Sequence, residues 1–135
     1  MALNPSTGIA SRNLALNAAF DILNSGHLFI QDSTQPVSAD TALGAQVKLA
    51  DLTLNATAFA AAASASKSAN SITQDSSADA SGTATWATLV ASTRATVGTL
   101  DMSVGTSGAN LNLNSVAISS GAAVSCSSLT ITQAA

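Results

Sequence analysis

From Gly26 onward, apolar and polar residues alternate in short runs, which is the period of a strand with one buried face. The clearest run sets Leu100, Met102 and Val104 between polar residues. Turns rich in Gly, Ser and Thr separate the runs at spacings of roughly 8 to 15 residues. Because one polar face is typical of antiparallel pairing, the sequence predicts a mostly β fold, an antiparallel β-sandwich or jelly roll over about 27–132.

One segment before the strands has helical spacing instead. Apolar residues at intervals of seven, four and three form one stripe: Ile9, Leu16, Phe20 and Leu23. Ser6 or Thr7 is a candidate N-cap and Asn24-Ser-Gly26 is a stop signal, so one N-terminal helix is expected over about 8–24. This helix packs either on the sandwich or on a partner. A second face repeats polar residues every four positions: Asn13, Asn17 and Asp21.

Composition limits what these elements can bury. Hydrophobic residues make up 47% of the 135 positions, but many of them are alanine, so the core is expected to be thin. A chain of this length fits one domain over 1–135. The predicted core consists of the larger apolar residues on the alternating runs, which are Trp86, Leu100, Met102, Val104, Leu111 and Leu113.

Three places depart from regular alternation. The segment 56–79 is rich in Ala and Ser, with Phe59 and Ile72 as its apolar anchors, and predicts either a long loop pinned by Phe59 or a short helix over 57–65. Both anchors are candidate contacts to a partner protein. The apolar phase slips at Ala50-Asp51, as it does at a β-bulge. Gly105-Thr-Ser-Gly108 lacks the Lys and the helix of a phosphate loop and predicts a hairpin turn.

The few chemically distinctive residues argue against most kinds of site. Four Lys+Arg and a net charge of -3 cannot form the basic face of a nucleic-acid binder. His27 and Cys126 are each single, so neither a disulfide nor a zinc site is expected. His27 is expected at the surface or on an edge, Cys126 as a small buried hydrophobe, and Asp75 and Asp79 as solvated loop acids. We therefore expect no enzymatic activity, no metal and no cofactor.

No targeting segment is expected either. The first residues lack a cationic region followed by an apolar run, so they do not form a secretory signal. The longest Ala-rich stretch is too short to span a bilayer, which requires about 20 apolar residues. We expect a protein that is made in a cytoplasm and has no membrane partner.

The order of several segments resembles a family of small structural proteins of tailed phages. The segments that carry the resemblance are residues 104–121, Val124-Ser125 and Leu129–Thr132, preceded in the same order by Leu28–Pro36, residues 52–62 and Ala80–Trp86. Two positions depart from the family, which tends to carry Arg or Tyr within the strand at Phe29–Gln31 and an aromatic-Arg pair at Ala87-Thr88. The resemblance covers about residues 14–132.

The proteins that the chain resembles are capsid decoration, or cement, proteins with a jelly-roll fold. The resemblance implies a non-enzymatic virion protein on the outside of the capsid. Its implied partner is the major capsid protein, and the chain itself is expected to form a small homo-oligomer, a dimer or a trimer. The alternative is a tail or fibre component, or a carbohydrate-binding module, that recognises a host surface.

Overall fold

The computed structural model describes residues 6–42, 44–93 and 100–134. Within these ranges the chain is mostly β, with one helix ahead of the strands, as the sequence predicted. The elements are α1 (Ile9–Phe20), a 3-10 turn (Asp21–Leu23), β1 (His27–Gln31), β2 (Lys48–Thr53), β3 (Ser66–Ser68), β4 (Gly82–Thr83), β5 (Trp86–Val90), β6 (Leu100–Gly105), β7 (Leu111–Leu113), β8 (Ala117–Ile118) and β9 (Cys126–Thr132).

Seven of the strands form one curled sheet in the order β2-β1-β5-β6-β7-β9-β3, and β4 pairs with β8 in a second, small sheet. Every strand pair is antiparallel except β6–β7, which is parallel. The predicted antiparallel character is therefore confirmed.

The irregular segment comprises residues 54–65 and 69–81, on either side of β3, and it lies along both edges of the large sheet. At the β2 edge, Thr53 and Thr73 exchange backbone hydrogen bonds of 3.2 and 2.9 Å. At the β3 edge, the amide of Ala60 donates to the carbonyl of Ser68 at 3.0 Å. The predicted long loop is only partly right, because β3 lies within it. A helix over 57–65 is wrong, because Phe59 bridges Ala69 and Ala63 bridges Ser66. An edge covered in this way does not pair with another chain.

The core lies on one face of the large sheet and beneath α1. Its sheet residues include Leu28, Ile30, Leu52, Leu89, Met102, Leu111, Leu113, Leu129 and Ile131. Met102, Leu111 and Leu113 are 5%, 0% and 2% exposed, so their predicted burial is confirmed. Leu100 and Val104, also predicted as core residues, are only half-buried against this cluster. Each has a neighbouring strand on one side only, since Leu100 pairs with a residue of β5 and Val104 with a residue of β7.

Trp86 is buried, as predicted, but it does not belong to the main core cluster. Its neighbours Ala87 and Leu89 lie in that cluster, and alternation along β5 therefore places Trp86 on the opposite sheet face. The indole Nε1 donates to the carbonyl oxygen of Asp32 at 3.1 Å. The central strands thus bury side chains on both faces, and Phe29 and Val90 accompany Trp86 on the second face.

Helix α1 and its 3-10 turn together bury three of the four residues in the predicted apolar stripe. Leu16, Phe20 and Leu23 are buried, whereas Ile9 is the first helical residue and is 54% exposed. The N-cap is Gly8, without a side-chain hydrogen bond, rather than Ser6 or Thr7. The α-helix ends at Phe20 and the 3-10 turn at Leu23, one residue before the predicted end at 24. Gly26 is required after it because a Cβ atom would lie 2.5 Å from the carbonyl oxygen of Val90.

The polar face of α1 fastens the helix to the irregular segment and β3. Asn13 Oδ1 accepts the amide of Ala65 at 2.9 Å. Asn17 Oδ1 accepts the amide of Ala62 at 3.0 Å and Lys67 Nζ at 2.9 Å. The Lys67 side chain is 1% exposed, and Asp21 Oδ1 accepts its ammonium at 3.4 Å. Because the three polar residues are four positions apart, their side-chain oxygens form one row along the helix. Two of these oxygens accept backbone amides of the irregular segment that have no strand partner.

The bulge lies one residue from the predicted position. Ile30 pairs with Ala50 and Gln31 pairs with Lys48, so Leu49 has no partner on β1. The extra residue lets both Leu49 and Leu52 point into the core, which explains the phase slip in the sequence.

The predicted hairpin at Gly105–Gly108 is wrong, because β7 runs parallel to β6. Two asparagines fold the loop back on itself. Asn110 pairs with the hydroxyl of Ser103 through its amide side chain at 3.1 Å and its backbone N–H at 3.3 Å. The Asn112 side chain bonds both backbone groups of Ala109 at 3.2 Å. The chain then enters β7 in the same direction as β6.

Candidate binding surface

The charged residues nearest to a catalytic constellation lie across β1 and β2. His27 Nδ1 hydrogen-bonds the Asp51 carboxylate at 2.8 Å. Lys48 Nζ lies 3.4 Å from Asp51 and 3.1 Å from Asp79. The lysine therefore links β2 to the segment that precedes β4. His27 is a partly exposed surface residue, as predicted. It does not lie on an edge strand, because β1 lies between β2 and β5.

This network supplies two members of a nucleophile triad, a histidine and its orienting carboxylate. Among the hydrogen bonds of the described residues, no hydroxyl or thiol contacts His27. Within the same ranges, no three His, Cys, Asp or Glu side chains lie together as metal ligands do. We therefore interpret the network as a structural contact that holds β1 against β2.

Lys48 responds electrostatically to this network. Burial lowers its pKa, but the hydrogen bond to Asp79 and the charges of Asp51 and Asp79 raise it more, so the net shift is upward from 10.5. The contribution of this lysine to stability is therefore fully present below its ordinary pKa and is lost only as the pH rises through the raised value.

The two acids predicted to be solvated differ from each other. Asp79 is half-exposed and pairs with Lys48. Asp75 is partly buried, and its carboxylate accepts the amides of Asp51 and Ser77, both at 2.9 Å. For Asp75 the prediction is wrong, because the carboxylate substitutes for a missing strand partner at the β2 edge.

The aromatic residues of the chain are all buried. The exposed fractions of Phe20, Phe29, Phe59 and Trp86 are 9%, 8%, 5% and 2%, and the sequence has no Tyr. Phe59, expected as a partner contact, instead packs in the core, with its ring centroid 6.0 Å from that of Phe20. No aromatic ring is therefore available as a platform for stacking.

Ile72, the other expected partner contact, is half-buried. It lines a shallow pocket of about 160 Å³ together with Cys126 and flanking serines. Contact of Ile72 with a partner stays a prediction.

Cys126 is partly buried on β9, and burial raises the pKa of its thiol to about 11, although a backbone hydrogen bond from Ser128 opposes the shift. At about pH 8, roughly one thiol in a thousand is then ionised, and the thiolate is the reactive form. We expect iodoacetamide to alkylate the native chain at least about tenfold more slowly than the urea-unfolded chain at the same pH. Equal rates would show that the thiol is not buried in solution.

The outer side of α1 exposes apolar residues at a spacing of four. We call Leu14, Ala18 and Ile22 the outer helix face, of which Leu14 is 71% and Ile22 is 52% exposed. The residues lie on one side of the helix and its 3-10 extension. This face was not predicted, although its spacing is visible in the sequence, because the stripe through Leu16 and Phe20 is equally regular.

Neighbouring apolar side chains exposed to water are a feature of surfaces that bind other proteins. In the described part of the chain, the other large exposed apolar residues are Ile9, Val37 and Val47. Ile9 begins the same helix, whereas Val37 and Val47 belong to the connection between β1 and β2. The outer helix face is therefore the best-defined candidate binding surface on the described residues.

In the described ranges, α1 is too short to be a membrane-spanning helix, and so is the 3-10 turn. No protein-family model, curated protein or solved structure matches the chain.

Proposed function

We propose that this chain is a non-enzymatic decoration protein that binds the outside of a phage capsid, with the major capsid protein as its partner. The observation that carries the proposal is the outer helix face, where three apolar residues lie exposed on α1 and its 3-10 turn. The resemblance to small phage structural proteins supplies the identity of the partner. In this proposal the protein resides on the virion and forms a small homo-oligomer.

The fastening of α1 supports this role. The acceptors Asn13, Asn17 and Asp21 lie on the side of the helix next to the irregular segment. They hold the helix in place while Leu14 and Ile22 stay free for a partner. Because the helix is already ordered, a partner that binds it does not have to offset the entropy of ordering a segment.

Low charge also favours this mode of binding. The chain has only four Lys+Arg and seven Asp+Glu, and Leu14, Ala18 and Ile22 are themselves uncharged. Contacts made by apolar burial are little affected by salt, whereas ion pairs between exposed groups are screened. A single small interface binds weakly, but linked copies on one lattice reinforce one another.

The alternative of a carbohydrate-binding module is not favoured. Sugar recognition commonly relies on stacking against an exposed aromatic ring, and the four aromatic residues here are at most 9% exposed. The indole N–H of Trp86, a polar group that a sugar could use, is already bonded to Asp32.

The proposal is tested by co-sedimentation of the purified chain with tail-free heads of the parent phage, and separately with its tails. We expect saturable binding to heads that changes little between about 0.1 and 1 M NaCl. Double substitution of Leu14→Asp and Ile22→Asp is expected to weaken binding at least about tenfold, because it places charges in an apolar contact.

Val37→Asp is the matched control, since Val37 is a fully exposed valine away from α1. Binding of this variant is expected to equal that of the natural chain. Binding to tails alone, binding to neither particle, or loss of binding at high salt would contradict the proposal.

A further inference from the structure

The large sheet has a gap between β6 and β9. Strand β7 separates them but has only three residues, and it pairs on β6 with Val104 and Gly105 alone. Beyond it, the first half of β6 and the end of β9 border a cavity of about 130 Å³. We call this cavity the slot. Its lining residues are Leu100, Asp101, Met102, Asn110, Ile131 and Thr132.

The backbone of β9 shows which groups point into the slot. The carbonyl of Leu129 accepts a bond from Ala69 and the amide of Gln133 donates to Ala65, so these odd-numbered residues face β3. The amide of Thr130 donates to Asn110, so the even-numbered residues face the slot. By this alternation the N–H and C=O of Thr132 point into the slot. Among backbone partners within the described residues, neither group has a hydrogen bond on that side.

One carboxylate at the slot also lacks a partner. Asp101 Oδ2 is buried and has no hydrogen bond within the described part of the chain. A buried carboxylate oxygen without a donor is costly, and a cation that reaches it removes that cost. The slot therefore favours a ligand with a basic side chain on the face of the sheet that carries Asp101.

The other face of the slot is apolar. Met102 and Ile131 belong to the core cluster, so side chains pointing that way contact hydrocarbon. Ile131 and Thr132 also line an adjoining groove of about 320 Å³, whose far wall is Ala15, Ala19 and Phe20. A ligand with alternating residues, apolar toward Met102 and basic toward Asp101, matches both faces.

We propose that the slot receives an extended segment of the capsid protein, which adds a short strand between β6 and β9. This inference rests on the proposed function for the identity of the partner. The added strand runs parallel to β6 and antiparallel to β9, continues the line of β7, and bonds Thr132 through its backbone. It places a Lys or Arg beside Asp101.

The described part of this chain does not itself supply a segment with the chemistry that the slot favours. Within the described residues, Arg12 lies on α1, Lys67 is buried, and Lys48 is paired with two carboxylates on β2. None of these three cations lies on an extended segment that is free to insert.

The test uses the ¹⁵N-labelled chain and two acetylated, amidated pentapeptides, VKVTV and VEVTV. We expect VKVTV to shift the amide resonances of Thr132 and Leu100–Met102 saturably, with VEVTV at least about tenfold weaker. The variant Asp101→Asn is expected to remove the difference between the peptides. Thr132→Pro removes the donor in the slot and is expected to weaken VKVTV about tenfold, whereas Thr132→Val keeps the N–H and binds normally.

Peptide binding at the slot and binding to heads are measured separately, so this inference and the proposed function can fail independently. Absence of shifts, equal shifts by both peptides, or shifts confined to other residues would overturn the proposal that the slot binds an added strand. With heads as the probe, equal binding of Thr132→Pro and Thr132→Val would overturn it as well, even where the natural chain co-sediments. VKVTV binding at the slot without binding to heads would support the slot as a strand site and refute the proposed function.

Discussion

Replacement of Trp86 by alanine is expected to lower the free energy of unfolding by about 3 to 5 kcal/mol. The side chain is 2% exposed and lies on the sheet face opposite the main core, so its removal leaves a cavity there. It also leaves the carbonyl of Asp32 without its donor. Because domains of this size are stable by only about 5 to 15 kcal/mol, the loss is a large share of the total.

The measurement is urea unfolding followed by far-UV circular dichroism, since the variant has no tryptophan to report fluorescence. Trp86→Phe is the matched control, because it keeps an aromatic ring but removes the N–H donor. We expect its loss to be clearly smaller than that of Trp86→Ala. An unchanged unfolding midpoint for the alanine variant would show that Trp86 does not support the fold.

Replacement of Asn17 by alanine is expected to lower the free energy of unfolding by about 1.5 to 3 kcal/mol, the range for a hydrogen bond to a charged group, although the residue lies on a helix surface. Its Oδ1 atom accepts both the amide of Ala62 and the ammonium of Lys67. Lys67 is 1% exposed in its side chain, and without Asn17 it keeps only Asp21, at 3.4 Å. A buried charge that loses a partner costs more than a neutral side chain at the same place.

Two further variants test this explanation by the same unfolding measurement. Lys67→Met removes the buried charge and is expected to cost at most about 1 kcal/mol, because an apolar side chain of similar length replaces it. The double variant, Asn17→Ala with Lys67→Met, is then expected to be more stable than Asn17→Ala alone. Additive losses would show that the ammonium does not account for the cost.

Most of the strands were predictable from local alternation, whereas β3 and the burial of Trp86 on the second sheet face were not. Leu111 and Leu113 are buried as expected, and the phase slip near Ala50 marks a real bulge. Period two is a property of the extended backbone, so the pattern survives whatever the strand packs against. The helix was predictable because its apolar residues recur at the period of an α-helix and a stop signal at Asn24–Gly26 follows its last turn.

The candidate binding surface was less predictable than the strands. The outer helix face and the buried stripe of α1 have the same spacing, and only the position of the sheet decides which of them is covered. Phe59 shows the converse case, since a large apolar residue in an irregular segment is equally compatible with a partner and with the core. It packs against Phe20, which is 39 residues away in the sequence.

The sequence by itself determined the class of fold, the position of the helix, the low charge and the scarcity of chemically distinctive residues. Tertiary structure alone decided that β7 runs parallel to β6, that Asp75 bonds a strand edge, and that a polar row on α1 meets a buried lysine. The physical reason is the range of the interactions. Periodicity and composition are local, whereas strand direction and the pairing of buried polar groups depend on residues that only the folded chain brings together.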